Sequence, residues 1–579
     1  MDQTQTPQKQ NIWLHIGLLI LVGVSVFVPR VTNIDQYVTI DEVTWIVYGG
    51  NFYYALGQRE FDQTYQREHP AVPLYWAATA AFLVEFPEYR GLGQGYLVGF
   101  KKTADYYRSQ DIDPLDLLRT ARIFMVIGNT LLLMGAFWIA RKLVGVWPAL
   151  VGFLLIAFDP FHITHTQIIH VDGFLGSCMF FAVVAFLGYL YEGRKPIYLI
   201  LAGAGAGLAW VTRAISLFLL PFFGLMLLIA WLAERRENNI KGNYLAGFWK
   251  QIVLPLVWLS VAGAAVFVLL WPAMWVAPVQ TLQRMLEKIL FYSRSGGTSL
   301  NVFFAGEIYT HVRPSIAFYP ITFLWRTTPV ILLGLLAALI GAHWPFGLTA
   351  RKAVRGAMLG LALFAALYTV YITIPARVFD RYMHPVYAPL NLLAGIGLVG
   401  VISRLRSVNL NVVKRYGAAV LLVLLIGLQF GSALSVYPYY ISYYNPLLGG
   451  LQKAPQMMMV GWGEGLDEVG RYLRAKPDGD SLRVMSWYGT GPLSFYLGDE
   501  YRIYTLDVLW SNDASREYTE ADYAVLYVNQ VQRKASQELT EYLTQFAPEY
   551  TVTVNGLEYA WVYNLHDLPL PAFVPTEYR

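Results

Sequence analysis

Long apolar runs separated by short polar stretches dominate the sequence from its start to about residue 436. A run of about 17 to 25 mostly apolar residues can cross a bilayer as an α-helix, so this pattern predicts a series of transmembrane helices. A further run, Ala71–Phe86, is broken by Pro73 and Glu85, and it either dips into the membrane and returns or lies along its surface. With this run and a further hidden crossing, we expect about 11 to 13 helices. The eleven clear spans are Ile12–Val28, Ala121–Ala140, Val146–Phe158, Gly173–Tyr191, Ile197–Val211, Ile215–Trp231, Ile252–Trp271, Ile321–Ala342, Ala357–Ile374, Val386–Ile402 and Ala418–Val436.

The pattern changes from about residue 446 onward, where charged residues return and short β-rich runs alternate with helical ones. This alternation predicts a small α/β domain over residues 446–579, after a membrane region over residues 1–445. The predicted strands are Leu482–Trp487, Tyr501–Leu506, Tyr523–Val528, Tyr550–Val554 and Glu558–Tyr563, and the predicted helices are Gly465–Ala475 and Gln532–Phe546.

Composition supports a polytopic membrane protein. Of the 579 residues, 56% are hydrophobic and 14% are charged, and the mean hydropathy is +0.41. The net charge of +4 comes without a long basic run, so a nucleic acid partner is not expected. The single cysteine, Cys178, excludes an intramolecular disulfide and a metal site built from cysteines.

Basic residues in the short loops predict the orientation, because cytoplasmic loops collect Lys and Arg. The first span has the length of a signal peptide, but no small-residue cleavage site follows it, so we interpret it as a retained anchor with a cytoplasmic N-terminus. Counting spans then places residues 159–172, 272–320, 375–385 and those after about 437 outside, on the same side as Asp41. The predicted cytoplasmic groups are Arg141-Lys142, Arg194-Lys195, Arg235-Arg236, Arg351-Lys352-Arg355 and Arg404-Arg406.

Two adjacent carboxylates, Asp41 and Glu42, follow the first span by about a dozen residues. A membrane enzyme that removes a proton from its substrate needs such a group at the boundary between water and lipid. Acidic residues just outside a span are also often only solvated, and position alone does not separate these two interpretations.

The outer segments also hold most of the other ionisable groups near the predicted span ends, where charge is costly and marks a functional site by default. The three histidines of the second segment suggest either a metal site or hydrogen bonding to lipid or substrate, and a divalent cation is therefore an alternative. The arginines at 377 and 381 would share one helix face, where they either clamp a phosphate or extend to lipid headgroups. The candidate residues are His69, His162, His165, His170, Asp172, Arg213, Arg377, Arg381, Tyr382 and His384.

Two glycine-rich stretches have simpler explanations. Gly203, Gly205 and Gly207 lie within a membrane run, and we interpret them as sites of close helix packing. The stretch 461–465, Gly-Trp-Gly-Glu-Gly, precedes the first helix of the C-terminal domain. It either binds an anion at the helix N-terminus or forms a turn that caps the helix.

The order of these motifs over residues 10–440 resembles that of the GT-C membrane glycosyltransferases, in particular the dolichyl-phosphate-mannose protein mannosyltransferases and the bacterial aminoarabinose lipid A transferases. The matching features are Asp41-Glu42, His69-Pro70, the run Asp159-Pro160-Phe161-His162 up to Asp172, Thr212-Arg213 and Arg381-Tyr382. The sequence departs from the family at His69-Pro70-Ala71-Val72, where relatives carry His-Pro-Pro-Leu.

The resemblance implies an enzyme that moves a sugar, with inversion, from a polyprenyl phosphate to an unknown acceptor on the outer face of the membrane. It implies Asp41 as the general base toward the acceptor, and the predicted catalytic set is Asp41, Glu42 and Asp172. The implied donor phosphate-binding residues are Arg213, Arg381, Arg377 and His69. The implied substrate-binding residues are His165, His170, Tyr382 and His384. A prokaryotic cell membrane is the expected location.

Two rival functions share these features. A transporter or flippase would also combine apolar spans with charges at membrane depth, but transporters commonly show internal repeats, and the sequence shows none that is convincing. A non-catalytic assembly subunit would keep the fold without the activity. For the C-terminal domain we expect a role in acceptor selection or in docking a protein partner.

Overall fold

The computed structural model describes residues 12–67, 69–237, 243–295, 301–310, 312–345, 347–375, 378–407, 412–498, 502–507 and 509–575. Helices dominate the chain up to residue 434, and the larger of its two sheets follows. The helices of the first region are α1 (Ile12–Val31), α2 (Glu42–Gln58), α3 (Val72–Glu85), α4 (Phe100–Ser109), α5 (Pro114–Leu143), α6 (Val146–Ala157), α7 (Pro160–Gln167), α8 (Val171–Tyr191), α9 (Pro196–Thr212), α10 (Leu219–Glu237), α11 (Tyr244–Phe248), α12 (Leu254–Leu270), α13 (Ala273–Val276), α14 (Pro278–Ser295), α15 (Phe318–Arg326), α16 (Pro329–His343), α17 (Lys352–Thr373), α18 (His384–Ser407) and α19 (Val412–Leu434).

The protein is an integral membrane protein with fewer uninterrupted spans than the sequence suggested. Within the described residues, eight helices are long and apolar enough to cross a membrane, or up to ten if each of two bent pairs is one span. The expected count of 11 to 13 also included two shorter apolar runs, which form α3 and α9. The predicted span Val146–Phe158 corresponds to α6, which forms a pair with α7 bent by 66°. The predicted span Ile321–Ala342 covers a second pair, α15 and α16, bent by 115°. Two further apolar helices, α3 and α9, have only 14 and 17 residues.

Proline explains both bends. A proline cannot donate a backbone hydrogen bond inside a helix, and it pushes the residue before it out of the helical region. Asp159 precedes Pro160, and its carboxylate accepts from the backbone N–H groups of Phe161 and His162 at 3.0 and 3.2 Å. Thr328 precedes Pro329 in the same way. Each break therefore begins a new, capped helix in a different direction.

The apolar run at 71–86 forms α3, which packs against α2 and α5. At about 1.5 Å per residue its length is near 21 Å, less than the hydrocarbon thickness of about 30 Å. The Trp76 indole donates to the carbonyl oxygen of Leu270 at 2.8 Å, which ties α3 to the end of α12. The segment between α1 and α5 is thus a packed helical structure, and the sequence pattern did not predict its helix α2.

Close packing explains the glycines of α9, as predicted. A methyl group added at Gly203 would lie 2.4 Å from the carbonyl oxygen of Leu259, and one at Gly207 would lie 2.3 Å from that of Gly263. The backbones of α9 and α12 are therefore in direct contact. Helix α8, which begins beside the candidate site, is wholly buried inside the protein over its most apolar stretch.

The C-terminal region contains the predicted α/β structure, so the predicted fold class is confirmed. Its five-stranded sheet has the order β4-β3-β5-β7-β6, in which β4, β3 and β5 are parallel and β7 and β6 are antiparallel to their neighbours. The predicted helix at 532–546 is shorter than expected. A small hairpin, β1 (Val302–Phe304) and β2 (Glu307–Tyr309), precedes α15. The remaining elements are α20 (Gly450–Lys453), α21 (Leu466–Arg474), β3 (Val484–Ser486), α22 (Ser494–Leu497), β4 (Ile503–Thr505), α23 (Asn512–Glu520), β5 (Tyr523–Tyr527), α24 (Val528–Gln532), α25 (Gln537–Leu543), β6 (Tyr550–Val554) and β7 (Leu557–Asn564).

Candidate active site

Two carboxylates and two arginines from distant parts of the chain meet at one end of the helical region. Arg381 connects the carboxylates, because its Nη2 lies 3.1 Å from Asp41 Oδ2 and its Nε lies 3.7 Å from Asp172 Oδ2. Arg213 forms a further ion pair with Asp172 through Nη1 and Oδ1. The four charges balance, so the cluster can lie at membrane depth without a net charge.

Helix ends place the two carboxylates. Asp41 precedes α2 at the position where a carboxylate often caps a helix, yet its side chain makes no capping hydrogen bond. Asp172 lies in the first turn of α8 and is buried, with a side-chain exposure of 2%, whereas the Asp41 side chain is 35% exposed. Asp41 is therefore the carboxylate that can meet a molecule arriving from outside.

His170 links the same two carboxylates from the N-cap position of α8. The backbone N–H of Asp172 donates to His170 Nδ1 at 3.2 Å, so this nitrogen acts as an acceptor. The other ring nitrogen, Nε2, lies 3.3 Å from Asp41 Oδ2 and can donate to it. His170 thus orients the carboxylate of Asp41.

Aromatic and charged neighbours fix the two arginines. The Arg213 guanidinium lies over the Tyr382 ring at 4.5 Å from its centre. Arg381 belongs to the short 3-10 turn Asp380–Met383, which Arg326 anchors from behind. The Nη2 and Nε atoms of Arg326 lie 2.8 and 3.2 Å from Asp380 Oδ2.

A layer of imidazoles lies beneath these charges. The rings of His165 and His384 are 5.5 Å apart between centres, and those of His162 and His384 are 4.8 Å apart. Both ring nitrogens of the buried His165 lack a hydrogen-bond partner. Among the residues that the structure describes, no group of three or more His, Cys, Asp or Glu side chains is arranged to hold a metal ion.

Glu42 is not at this site, although the sequence placed it in the catalytic set beside Asp41. Its carboxylate is fully buried and paired with Arg122, whose Nη2 and Nε lie 2.5 and 2.7 Å from Oε2 and Oε1. The backbone N–H groups of Thr39 and Ile169 also donate to it, each at 3.0 Å. With its oxygens so fully engaged, Glu42 acts as a structural anchor. The sequence analysis did not identify its partner, Arg122. Arg122 is a charged residue in an apolar run, and such a residue is expected to pair with an opposite charge.

Of the other two predicted phosphate-binding residues, the structure describes His69. His69 lies in a segment next to Arg213, since the N–H of Ala71 donates to the carbonyl oxygen of Thr212 at 3.1 Å. Arg377 lies outside the described residues.

The C-terminal domain contributes a residue that the sequence analysis missed. The Trp462 ring faces the Arg381 guanidinium at 4.8 Å and the His170 ring at 5.2 Å. The glycine-rich stretch 461–465 is thus the turn before α21, and Gly465 is its N-cap. The carboxylate of Asp467 accepts from the N–H of Gly465 at 3.1 Å, so the alternative of an anion at this helix N-terminus is not supported. The one feature of the sequence that could have pointed to Trp462 is its position between two glycines.

No protein-family model matches the sequence, and a comparison with curated proteins finds no match. Solved structures do match. ArnT from Cupriavidus metallidurans, bound to undecaprenyl phosphate, is 13% identical over 95% of this chain and 97% of that chain, with a TM-score of 0.45. The archaeal oligosaccharyltransferase AglB from Archaeoglobus fulgidus, in complex with an inhibitory peptide and a dolichol-phosphate, is 12% identical over 96% of this chain and 75% of that chain, with a TM-score of 0.46.

A third match covers less of the chain. The S. cerevisiae protein O-mannosyltransferase Pmt1-Pmt2 complex bound to the sugar donor is 18% identical over 46% of this chain and 34% of that chain, with a TM-score of 0.34. The chain resembles GT-C membrane glycosyltransferases.

Proposed function

We propose that the protein transfers a sugar from a polyprenyl phosphate to an acceptor on the outer face of the membrane. The observation that carries this proposal is the arrangement of one accessible carboxylate, Asp41, beside two arginines at the end of the helical region. An inverting displacement needs a base on the acceptor side and positive charge on the departing phosphate. The site offers both.

In the proposed step, Asp41 takes the proton of the acceptor hydroxyl or amine as that atom attacks the anomeric carbon. The bond between this carbon and the phosphate oxygen breaks, and its electron pair leaves with the polyprenyl phosphate. Arg213 and Arg381 stabilise the charge that develops on the leaving phosphate. Attack from the face opposite the phosphate inverts the configuration of the anomeric carbon.

The ion pairs of the site connect donor binding to the base. Arg381 is shared between Asp41 and Asp172, so a phosphate that binds to Arg381 competes with Asp41 for the same guanidinium. Asp41 then loses a cationic neighbour and becomes a stronger base. Donor binding therefore activates Asp41 for the acceptor.

An apolar cavity next to the site is the proposed location of the lipid tail. It has a volume of about 1170 Å³ and lies between α8, α10 and the helices α15 to α18. Met383, two residues after Arg381, lines one part of it, and Glu237 and Lys352 line another. Its apolar lining matches a polyprenyl chain, and Met383 is the lining residue that lies nearest to Arg381 in the sequence.

The donor site can be tested by lipid binding without any acceptor. We expect the purified protein to retain undecaprenyl monophosphate in native mass spectrometry. Arg381→Ala should weaken retention by roughly ten- to a hundredfold, since a charge-assisted contact is lost. Arg381→Lys should recover only part of the retention, because the planar guanidinium, with several donors in a fixed geometry, is replaced by the point charge of an ammonium group.

The matched control is Arg404→Ala, which removes a charge from α18, the helix that follows the turn of Arg381, at the end away from the site. Equal retention by wild type and Arg381→Ala would contradict the assignment, and so would an equal loss in the control. No retention by the wild-type protein would contradict a polyprenyl phosphate donor altogether.

The outward orientation of the site is also a proposal. Arg213 and Arg381 lie just before α10 and α18, whereas the basic residues 235, 236 and 404 lie near the far ends of these helices. In a Cys178→Ser background, an impermeant maleimide applied to intact cells should label Asp480→Cys. Lys195→Cys should react only after permeabilisation. The opposite labelling would invert the topology and place the site in the cytoplasm.

A further inference from the structure

The loop that carries Asp41 is held from two sides. From the membrane region, Arg122 donates to the carbonyl oxygen of Tyr37 at 2.8 Å and also to that of Ile34. From the C-terminal domain, the Tyr496 hydroxyl donates to the carbonyl oxygen of Asp35 at 2.7 Å. The Gln36 amide donates to Asp467 Oδ2 at 2.9 Å. The contacts from both sides therefore fix the segment that leads into Asp41.

Two glycines bring the backbone of the C-terminal domain against the residues on either side of Asp41. A methyl group added at Gly463 would lie 2.2 Å from the carbonyl oxygen of Val38, and one at Gly491 would lie 2.1 Å from Val43 Cγ1. Gly463 also has a φ of +126°, a conformation that other residues rarely adopt. A larger residue at Gly463 would have to move the domain or the loop, because it meets backbone, and one at Gly491 would displace the side chain of Val43.

The glycine-rich turn is rigid because polar groups of its own domain hold it. The N–H of Trp462 donates to Glu464 Oε2 at 2.7 Å, and the N–H of Gly463 donates to the Tyr527 hydroxyl at 3.0 Å. That hydroxyl in turn donates to the carbonyl oxygen of Glu464 at 3.0 Å. Burial raises the pKa of Tyr527, so the hydroxyl keeps its proton for this bond. The turn therefore holds Trp462 in one position.

Trp462 contacts side chains of the candidate active site. The Arg381 guanidinium contacts two aromatic rings, at 4.1 Å from the centre of Phe379 and 4.8 Å from that of Trp462. The same indole meets the His170 ring edge-on and lies 5.8 Å from the ring centre of His165. These two cation–π contacts help to hold the guanidinium in the direction in which it reaches both Asp41 and Asp172.

We propose that the C-terminal domain is a part of the active site rather than a separate acceptor-selecting module. Trp462 is a positioning residue for Arg381, and the docking of Gly463 and Gly491 positions the loop of Asp41. The catalytic meaning of this arrangement rests on the function proposed above. The docking itself does not, so the two can be tested separately.

Hydrogen exchange of the full-length protein in detergent tests the docking without any substrate. Gly463→Ala should speed exchange of the backbone amides of residues 35–43. The matched control is Gly498→Ala, because Gly498 lies in the same domain with a similar φ of +120° and has only an ordinary contact around it. Unchanged exchange in Gly463→Ala, or equal changes in both variants, would overturn the proposal.

Trp462 variants test the positioning role. Trp462→Ala should lower sugar transfer and undecaprenyl phosphate retention by about three- to thirtyfold, the range expected for a cation–π contact, and Trp462→Phe should restore most of both. In an Arg381→Ala background, Trp462→Ala should add little, because the residue acts through Arg381. The positioning role would be overturned if the losses caused by Trp462→Ala and Arg381→Ala were fully additive. It would also be overturned if Trp462→Ala transferred sugar at the wild-type rate. If the wild-type protein transfers no sugar, the proposed reaction fails, while hydrogen exchange still decides the docking.

Discussion

Replacing Asp41 by Asn should leave the protein folded and lower sugar transfer by roughly a hundred- to ten-thousandfold, the usual contribution of a general acid or base. The substitution keeps the shape of the side chain and its contact with His170 but removes its basicity. Thermal stability in detergent and retention of undecaprenyl phosphate should stay close to those of the wild type. Initial transfer rates with purified protein and a polyprenyl-phosphate sugar measure the effect.

Asp35→Asn is the matched control, because it changes an exposed carboxylate of the same loop and should transfer at the wild-type rate. If Asp41→Asn keeps more than about a tenth of the activity while Asp172→Asn abolishes it, the role of base belongs to Asp172. The burial of Asp172 between Arg213 and His170 leads us to expect the opposite result.

Removing the charge of Glu42 should affect folding more than chemistry. Glu42→Gln leaves the buried Arg122 without its counter-ion, and breaking a buried ion pair costs about 3 to 5 kcal/mol. We expect a fall of this size in the free energy of unfolding, measured by SDS-induced unfolding of the purified protein. Glu42→Gln combined with Arg122→Met should recover part of the loss, because no unpaired charge stays buried. A variant Glu42→Gln that folds as stably as the wild type yet transfers no sugar would return Glu42 to the catalytic set.

The hydrophobic pattern predicted the position of most helices but not their continuity. The run at 321–342 is apolar enough for one span, but hydropathy does not register that the helix turns at Pro329. Helix α2 was missed because its sequence shows neither the alternation of a strand nor an apolar run long enough for a span. It is buried by contacts with α3 and the loops around it. The C-terminal strands were easier to predict, since each is a short apolar run between turns.

Residue type and location near span ends brought out the four charges of the candidate site, Asp41, Asp172, Arg213 and Arg381. Sequence could not decide between Asp41 and Glu42, because adjacent residues differ only in the direction in which the backbone points them. It also could not place Trp462, which lies 421 positions after Asp41 and reaches the site only through the docking of two parts of the fold. Such contacts depend on tertiary packing, and the tryptophan between two glycines does not indicate which part of the fold it meets.

The transfer reaction itself tests the central claim most directly. Purified wild-type protein in proteoliposomes would be given a polyprenyl phosphate with a radiolabelled sugar and a panel of lipid, glycan and peptide acceptors. The proposed function predicts labelled acceptor and free polyprenyl phosphate in equal amounts, formed by the wild type and not by Asp41→Asn. Equal rates of product formation by the two proteins, or movement of the intact labelled lipid across the bilayer with no acceptor labelled, would contradict it and favour a transporter.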